Sequence, residues 1–401
     1  MRATALLSKL LGLEQVVVHN FHVEDGALVL AVTPTWHSPR CSGCGRKHQP
    51  IHDTHEDRTW RHLDFGGVQV KLRFDLQRVA CRKCGVLVAQ VPWSVDPVSR
   101  YTQDFEDNVA FLAQGTDKTS ITRALGITWR SVGRIIGRVV NRLRPEEPLA
   151  GLEAIGVDEI SYRKHHKYIT LVTDHEGKGI VWGGEGKSAE SLMAFFDDLG
   201  EAGCNKIKVV TMDMSAAFIS AVRQRVPNAT IVFDRFHVQK LANDALDVVR
   251  REEWRELRGT PEGSVLKQSR FTLLRNKGDH TARDTVKLKD LEEANRDVYR
   301  AFLLKESLRE LLGRKQINVV EKMLKEWIAE AKASGLAAFG TLAGTLEKHF
   351  DGVVAYVKWN LTNGRVEGLN NKVRVIARRS YGFHSAEAAL AMMMLCCTGL
   401  D

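Results

Sequence analysis

Two periods of apolar residues divide the chain. Residues 68–74, Val-Gln-Val-Lys-Leu-Arg-Phe, alternate apolar and polar, the period of a half-buried strand, and such stretches recur in the 36 residues between Cys44 and Cys81. From Asp104 the period lengthens to that of a helix. One helical segment, 119–125, ends at Gly126, where a glycine permits a sharp turn, and Thr128 is placed to cap the next helix. That second helix puts Val132, Ile135, Ile136, Val139 and Leu143 on one face, and Arg130, Arg134, Arg138 and Arg142 on another. Two prolines in Pro145-Glu146-Glu147-Pro148 then end the helix and mark a linker.

Beyond the linker, residues 154–160, 168–173 and 179–182 read as three strands of an antiparallel meander, and a helix from Ser188 to about Ala202 follows. A strand over 207–212, a helix over 216–225 and a strand over 230–233 complete the series. The order βββαβαβ is the plan of a ribonuclease-H-like fold. Helical spacing returns over 303–309 and 319–331. The expected fold class is therefore α/β multidomain: an N-terminal zinc ribbon, a helix-turn-helix, and a ribonuclease-H-like mixed sheet.

At 401 residues the chain exceeds what one hydrophobic core usually serves, so about two to four domains are expected. Its hydrophobic fraction of 44% and charged fraction of 27% exclude wholesale disorder. The longest apolar run, 388–397, is about half the roughly 20 residues of a membrane span and reads as the buried face of a terminal helix. Leu6, Leu7, Leu10 and Leu11 are interrupted by Lys9 with no small-residue cleavage site after them, so no signal peptide or membrane association is expected and the protein should stay in the cytoplasm.

The net charge of +9 suits a polyanionic partner, and its placement narrows the choice. Between Lys118 and Arg144 there are seven Lys or Arg residues and no acid. A helix pair with that charge matches a DNA major groove lined by phosphates, with Thr128, Arg130, Ser131 and Arg134 best placed to reach base edges and Arg138 further along. The alternative is a solvated face that only keeps the protein soluble.

Seven cysteines in such a chain argue against a disulfide framework. Cys41-Ser42-Gly43-Cys44 and Cys81-Arg82-Lys83-Cys84 are two CxxC pairs, each followed by a glycine, Gly45 or Gly85. A glycine there lets the backbone turn so that four thiolates face one structural Zn²⁺. His37, His48, His52, His55 and His62 lie nearby as substitute ligands, but four cysteines are the expected set.

Asp158 lies in the first strand after the linker and Asp213 ends the fourth, and these strands are neighbours in a ribonuclease-H-like sheet. Converging carboxylates repel and hold their charge well only with cations between them. Two Mg²⁺ ions (or Mn²⁺) would suit phosphodiester chemistry. Such a pair calls for a third carboxylate, and Glu367 is the candidate, since it opens a helix rich in Asn and basic residues. Arg365, Lys372, Arg374, Arg378 and Arg379 are placed to hold phosphates beside it. Each acid alone also has a structural explanation: closing a strand, capping a helix, or pairing with an arginine.

The doubled CxxC, Val157-Asp158-Glu159 with Lys167-Tyr168, Met212-Asp213-Met214-Ser215, Asp234-Arg235-Phe236-His237, and the 362–372 segment followed by Arg379-Ser380-Tyr381-Gly382-Phe383 resemble insertion-sequence transposases of the ISL-three type. The resemblance runs along nearly the whole chain. It implies that Asp158, Asp213 and Glu367 are a DDE triad, that Asp234 and His237 form an accessory DxxH element, and that an all-α insertion occupies much of the 153 residues between Asp213 and Glu367. His237 as a hydrogen-bonded helix-start histidine remains open.

The expected domains are 1–98 (zinc-binding), 99–145 (helix-turn-helix), 150–250 with 355–401 (catalytic) and 251–354 (helical insertion). The expected activity is cleavage of double-stranded DNA at element ends and joining to target DNA, by a homodimer or larger assembly on that DNA. A DNA-binding protein without catalysis and a ribonuclease-H-like nuclease without joining are the alternatives.

Overall fold

The computed structural model describes residues 2–96, 98–163, 167–177, 179–359, 364–380 and 382–398, without the side chains of 364–367 and 370. It divides into two compact units, residues up to 145 together with those from 376, and residues 146–375.

The first unit opens with α1 (Ala3–Leu10) and the antiparallel pair β1 (Val16–Glu24) and β2 (Ala27–Pro34). Next, β3 (Ile51–Phe65) and β4 (Val68–Cys81) form a long hairpin. Its turn, Gly66-Gly67, has φ of 57° and 83°, a conformation that favours glycine at both positions. β4 also pairs parallel with β2 and, at its end, antiparallel with β5 (Gly85–Val88). The alternation predicted around 68–74 is real: Val70 and Leu72 are buried with Leu30, Trp60 and Trp93, while Gln69 and Lys71 face outward.

Three helices follow, α2 (Gln103–Gly115), α3 (Lys118–Leu125) and α4 (Trp129–Leu143). Thr102 caps α2, and Asp117 caps α3 through the N–H groups of Thr119 and Ser120. Gly126 ends α3 at φ 64°, and the Thr128 hydroxyl accepts from Ser131 N at 3.1 Å. The Gly126 turn and the Thr128 cap are as the sequence led one to expect. Val132, Ile135, Ile136 and Val139 are buried as expected, but Leu143 is 38% exposed and Val140 is buried instead. Residue 143 has the right helical phase but is the last residue of α4, where the helix pair ends.

In the second unit, β6 (Ala154–Arg163), β7 (Lys167–Asp174) and β8 (Gly179–Glu185) form the antiparallel meander, followed by α5 (Ala189–Cys204). Strand β9 (Val209–Met212), helix α6 (Ala216–Arg225) and strand β10 (Thr230–Phe233) come next. β9 pairs parallel with β6 and with β10, giving the order β10-β9-β6-β7-β8. This is the mixed sheet anticipated from the element order. From Ile169 to Asp174, β7 is buried at every residue, as expected of a strand covered on both faces.

The chain then turns helical: α7 (Arg235–Glu256), α8 (Pro261–Gln268), α9 (Arg270–Leu274), α10 (Ala282–Ala294), α11 (Arg296–Leu311), α12 (Ile317–Ala333) and α13 (Ala337–Lys348). The long α7 is the axis against which α8, α9, α11 and α13 pack. Trp327 is a core residue here, 3% exposed and donating Nε1–H to Leu304 O at 2.8 Å. Trp254 and Trp359 are partly buried against apolar clusters. Next, α14 (Phe350–Trp359) returns to β10, where a Cβ on Gly352 would stand 2.5 Å from the Phe233 ring. After it come α15 (Gly364–Arg379) and α16 (Ala386–Cys397), and the apolar α16 packs against α2 and α4 in the first unit.

A fully buried Ile135 and an exposed Leu143 on one helix give a direct contrast. Ile135→Ala should cost about 2–5 kcal/mol of stability through the cavity it leaves, whereas Leu143→Ala should cost about 0.5 kcal/mol or less. Urea unfolding followed by circular dichroism measures both.

Candidate functional site

Asp158 and Asp213 come together through strand register. Gly156 on β6 is paired with Thr211 on β9, and carrying that parallel register two residues further sets position 158 beside 213. Adjacent strands are about 4.8 Å apart. Asp158 Oδ1 accepts from Glu159 N at 2.7 Å, and Asp213 Oδ1 accepts from Ser215 N at 3.0 Å. Burial pushes the Asp158 carboxyl above the usual carboxylate range, with Asp213 adding to the rise and the Glu159 N–H, His237 and Arg374 opposing it. Burial likewise raises Glu159, helped by Asp213 and Asp158, while Lys187, 3.9 Å away, opposes.

Asp234 caps α7 by accepting from Phe236 N at 2.8 Å, and its own N–H bonds to Met212 O at 3.1 Å, which ties the start of α7 to the end of β9. His237, one turn into α7, has Nδ1 3.3 Å from Asp234 Oδ2. Asp234 holds the His237 pKa above its ordinary value despite burial, and Asp158 and Asp213 add to the effect. His237 is therefore an ion-pair neighbour of Asp234, with no hydrogen-bond partner at Nδ1 among the described residues, and is close enough to the two aspartates for their charge to act on it. The DxxH spacing puts the Asp at the cap and the His on the first turn, facing the same carboxylates.

Arg374 of α15 lines a cleft with Asp158, Glu159, Ile160 and Leu171. Glu367 and Arg365 occupy the first turn of α15, and their side chains lie outside the described residues. Position 367 precedes 374 by seven residues, and that spacing returns to one helix face. Lys372 and Arg378 are exposed. Arg379, expected to hold phosphate, instead donates to Gln114 O at 2.7 Å and Ala113 O at 2.8 Å, satisfying carbonyls at the end of α2.

The four cysteines expected as one set do come together. The sulfurs of Cys41, Cys44, Cys81 and Cys84 lie within 4.8 Å of one another, and Cys44 Sγ is 3.6 Å from Cys81 Sγ. None of the five nearby histidines joins them; His62 is buried, bonded to Leu11 O and the Thr102 hydroxyl. Gly45 and Gly85 have φ of 67° and 77°, the turn the motif requires. Backbone N–H groups of Cys84 and Lys83 hold the Cys81 thiol well below the ordinary thiol range, while Cys44 and burial push Cys84 above it. Four soft sulfur donors gathered this closely fit Zn²⁺. Among the described residues this is the one group of three or more His, Cys, Asp or Glu donors gathered so closely.

The cationic stripe on α4 is shorter than its sequence suggests. Arg130 and Arg134 are exposed, with the capping pair Thr128 and Ser131 beside them. Arg138 bonds Glu106 at 2.9 Å through Nε and approaches Asp96 at 3.5 Å, and Arg142 pairs with Asp107. Lys118 is buried over the Trp129 ring at 4.4 Å. The rear of the stripe therefore fastens α4 to α2. The 118–144 segment holds no acid, but the segment packed against it does.

Two part-buried carboxylates brought together by this mixed sheet, in one chain with a cysteine cluster and a helix-turn-helix, are what a DNA-processing enzyme of the DDE class would present. The comparisons agree. Residues 155–393 match the ISL3 DDE family model described as "Transposase", residues 37–84 the zinc-finger of transposase IS204/IS1001/IS1096/IS1165, and residues 89–140 the helix-turn-helix domain of transposase family ISL3. The chain is 34% identical over 430 residues to the transposase for insertion sequence element IS1557 of Mycobacterium tuberculosis, spanning 100% of this chain and 96% of that one. It is 30% identical over 370 residues to the transposase for insertion sequence element IS1001 of Bordetella parapertussis, covering 91% and 90% of the two chains. This chain belongs to the ISL3 family of transposases. It is an insertion-sequence transposase whose DDE core implies a divalent metal and whose helix-turn-helix implies DNA as partner. Among the described residues no helix is long and apolar enough to cross a membrane.

Sequence reasoning passed over Glu159 and Lys187 as members of this neighbourhood. Glu159 adjoins Asp158 and was legible, but Lys187 carried no motif signal.

Purified protein should contain about one zinc per chain by metal analysis. Cys41→Ser with Cys81→Ser should remove it. Gly43→Val should weaken its retention, because a Cβ there would stand 2.9 Å from Leu87 Cδ1 and 3.3 Å from Cys84 Sγ.

Proposed function

We propose that Asp158, Asp213 and Glu367 are the catalytic triad, that they hold two Mg²⁺ ions, and that the enzyme cuts and joins the ends of its own element at this one site. The observation that carries the reading is the register of β6 and β9, which sets two carboxylates side by side, one of them largely desolvated. Hard carboxylate oxygens fit Mg²⁺, and Mn²⁺ would serve in its place. Ions held there would activate the attacking oxygen and stabilise the leaving one. Glu367 enters on the face argument from Arg374, and on being the acid in the first turn of α15.

In this reading water attacks the phosphodiester at an element end and a 3′-hydroxyl leaves. That hydroxyl then attacks a phosphodiester of target DNA, and the displaced target 3′-oxygen takes up a proton. Both displacements are in line and neither needs a covalent enzyme intermediate. Arg374 sits where it can offset phosphate charge beside Asp158, with Arg365 and Lys372 on the same helix as further phosphate contacts. Asp234 fixes the start of α7 against β9, and His237, one turn on, would donate a proton or a hydrogen bond beside the two aspartates.

Recognition of the terminal inverted repeats is assigned to Thr128, Arg130, Ser131 and Arg134 at the exposed start of α4. Arg138 acts by positioning that helix against Glu106. The functional division proposed is zinc-binding 1–98, helix-turn-helix 99–145, a helical insertion 251–354, and a catalytic part 150–250 completed from 355 onward. Because both ends must be brought together, each subunit of a homodimer or larger assembly reads one end. A bacterial cytoplasmic setting on nucleoid DNA suits such an enzyme.

Nicking of a duplex carrying the element end, and joining of a precut 3′-end into plasmid, should both require Mg²⁺. Asp158→Asn, Asp213→Asn and Glu367→Gln should each lower both rates by about a thousandfold or more, about 4 kcal/mol of transition-state stabilisation, with duplex binding retained. Nicking without any joined product would leave only a nuclease, and equal nicking by wild type and Asp213→Asn would remove the triad altogether.

A further inference from the structure

Beside the helix-turn-helix, in the same compact unit, lies a cavity of about 230 Å³. Its walls come from β3 and β4 of the ribbon, from the segment leading into α2, and from the Leu125–Ile127 turn between α3 and α4. Three cations, Arg61, Lys71 and Arg100, line it with the Thr59 hydroxyl, and no acid does. The parts are fastened together through backbone: Arg61 N donates to Arg100 O at 2.8 Å, and Thr102 N to Arg61 O at 2.9 Å. At the turn, Gln69 Nε2 is 3.3 Å from where a Cβ on Gly126 would stand.

Arg61 is the residue that needs explaining. Its side chain is only 10% exposed, and Asp64 takes one guanidinium nitrogen. Its Nε and Nη1 are buried without a hydrogen-bond partner. A buried guanidinium so poorly matched is costly unless something anionic completes it. Burial and the Arg100 charge together hold Arg58, next to this cluster, below its ordinary pKa, another mark of crowded positive charge.

We propose that this cavity takes a backbone phosphate of the DNA whose bases face α4, so that the zinc-stapled ribbon and the helix-turn-helix grip one duplex together. This rests on the helix-turn-helix being the DNA-reading element. Arg61 and Thr59 form the floor, Lys71 and Arg100 close on the phosphate oxygens, and the Gly126 turn sets the distance to the recognition helix. Such a contact positions the protein without reading sequence. A free phosphate ion shares the chemistry, but only a duplex places its phosphate beside the turn that opens α4.

The test compares wild type, Lys71→Ala with Arg100→Ala, and Arg134→Ala by fluorescence anisotropy, on the element-end duplex and on an unrelated duplex across KCl concentrations. Zinc content and melting temperature check that each variant is folded, and the single variants Lys71→Gln and Arg100→Gln carry the test if the double one is not. The double variant should lose affinity about tenfold for both duplexes and lower the slope of log K against log salt by about one to two, near 0.9 per phosphate contact. Unchanged affinity and slope in the double variant, with Arg134→Ala weakened, overturns the cavity and leaves the helix-turn-helix reading intact. Absence of duplex binding by wild type overturns both. A melting-temperature rise with inorganic phosphate that the double variant loses, alongside unchanged duplex affinity, makes this a free-anion site and also overturns the proposal.

Discussion

The catalytic unit depends on the parallel pairing of β6 with β9. A carboxylate in the middle of one strand and another just past the end of a second, far apart along the chain, are made neighbours by that ladder. Burial does most to raise the Asp158 pKa, and repulsion from Asp213 adds a smaller rise. His237 and Arg374, brought in by α7 and α15, are the protein's partial answer to that repulsion. Carboxylates brought together in this way suit the divalent metal that a DDE core implies.

Charge pairing also shapes the helix-turn-helix. The charge of the 118–144 segment does not act as one block, because Glu106, Asp107 and Asp96 neutralise its rear and hold α4 in place. What remains exposed is Arg130 and Arg134 near the start of α4, with Arg123 before it and Arg144 after it. Glu106, with its side chain 6% exposed, also accepts from the Ser99 hydroxyl at 2.6 Å, so this ion pair is part of the packing between α4, α2 and the segment leading into α2.

The ribbon has a modest core of its own, centred on Trp60, Trp93, Val70 and Leu72. At its far end the apolar cluster shrinks to the cysteines with Val79 and Ala89. A metal crosslink suits such a place, since there is too little apolar area to order the knuckles by burial alone. Around the catalytic sheet the opposite holds. A single large core runs from the strands through α7 into the helical insertion, so the insertion is packed as an extension of the same hydrophobic unit.

Much was legible in the chain where the governing physics is local. The doubled CxxC with trailing glycines, the strand alternation, the Thr128 cap and Gly126 turn, and the βββαβαβ order depend on a few adjacent residues, and all took the expected form. Strand order followed because few topologies accommodate that order of elements. Tertiary structure alone decided what depends on through-space neighbours. Leu143 is exposed because its helix ends there, Arg138, Arg142 and Arg379 are held by α2, α16 packs on the helix-turn-helix, and Arg61, Lys71 and Arg100 converge on one cavity. Periodicity tells which way a side chain faces along its own element, but charge pairing and burial are set by whatever the fold brings against it.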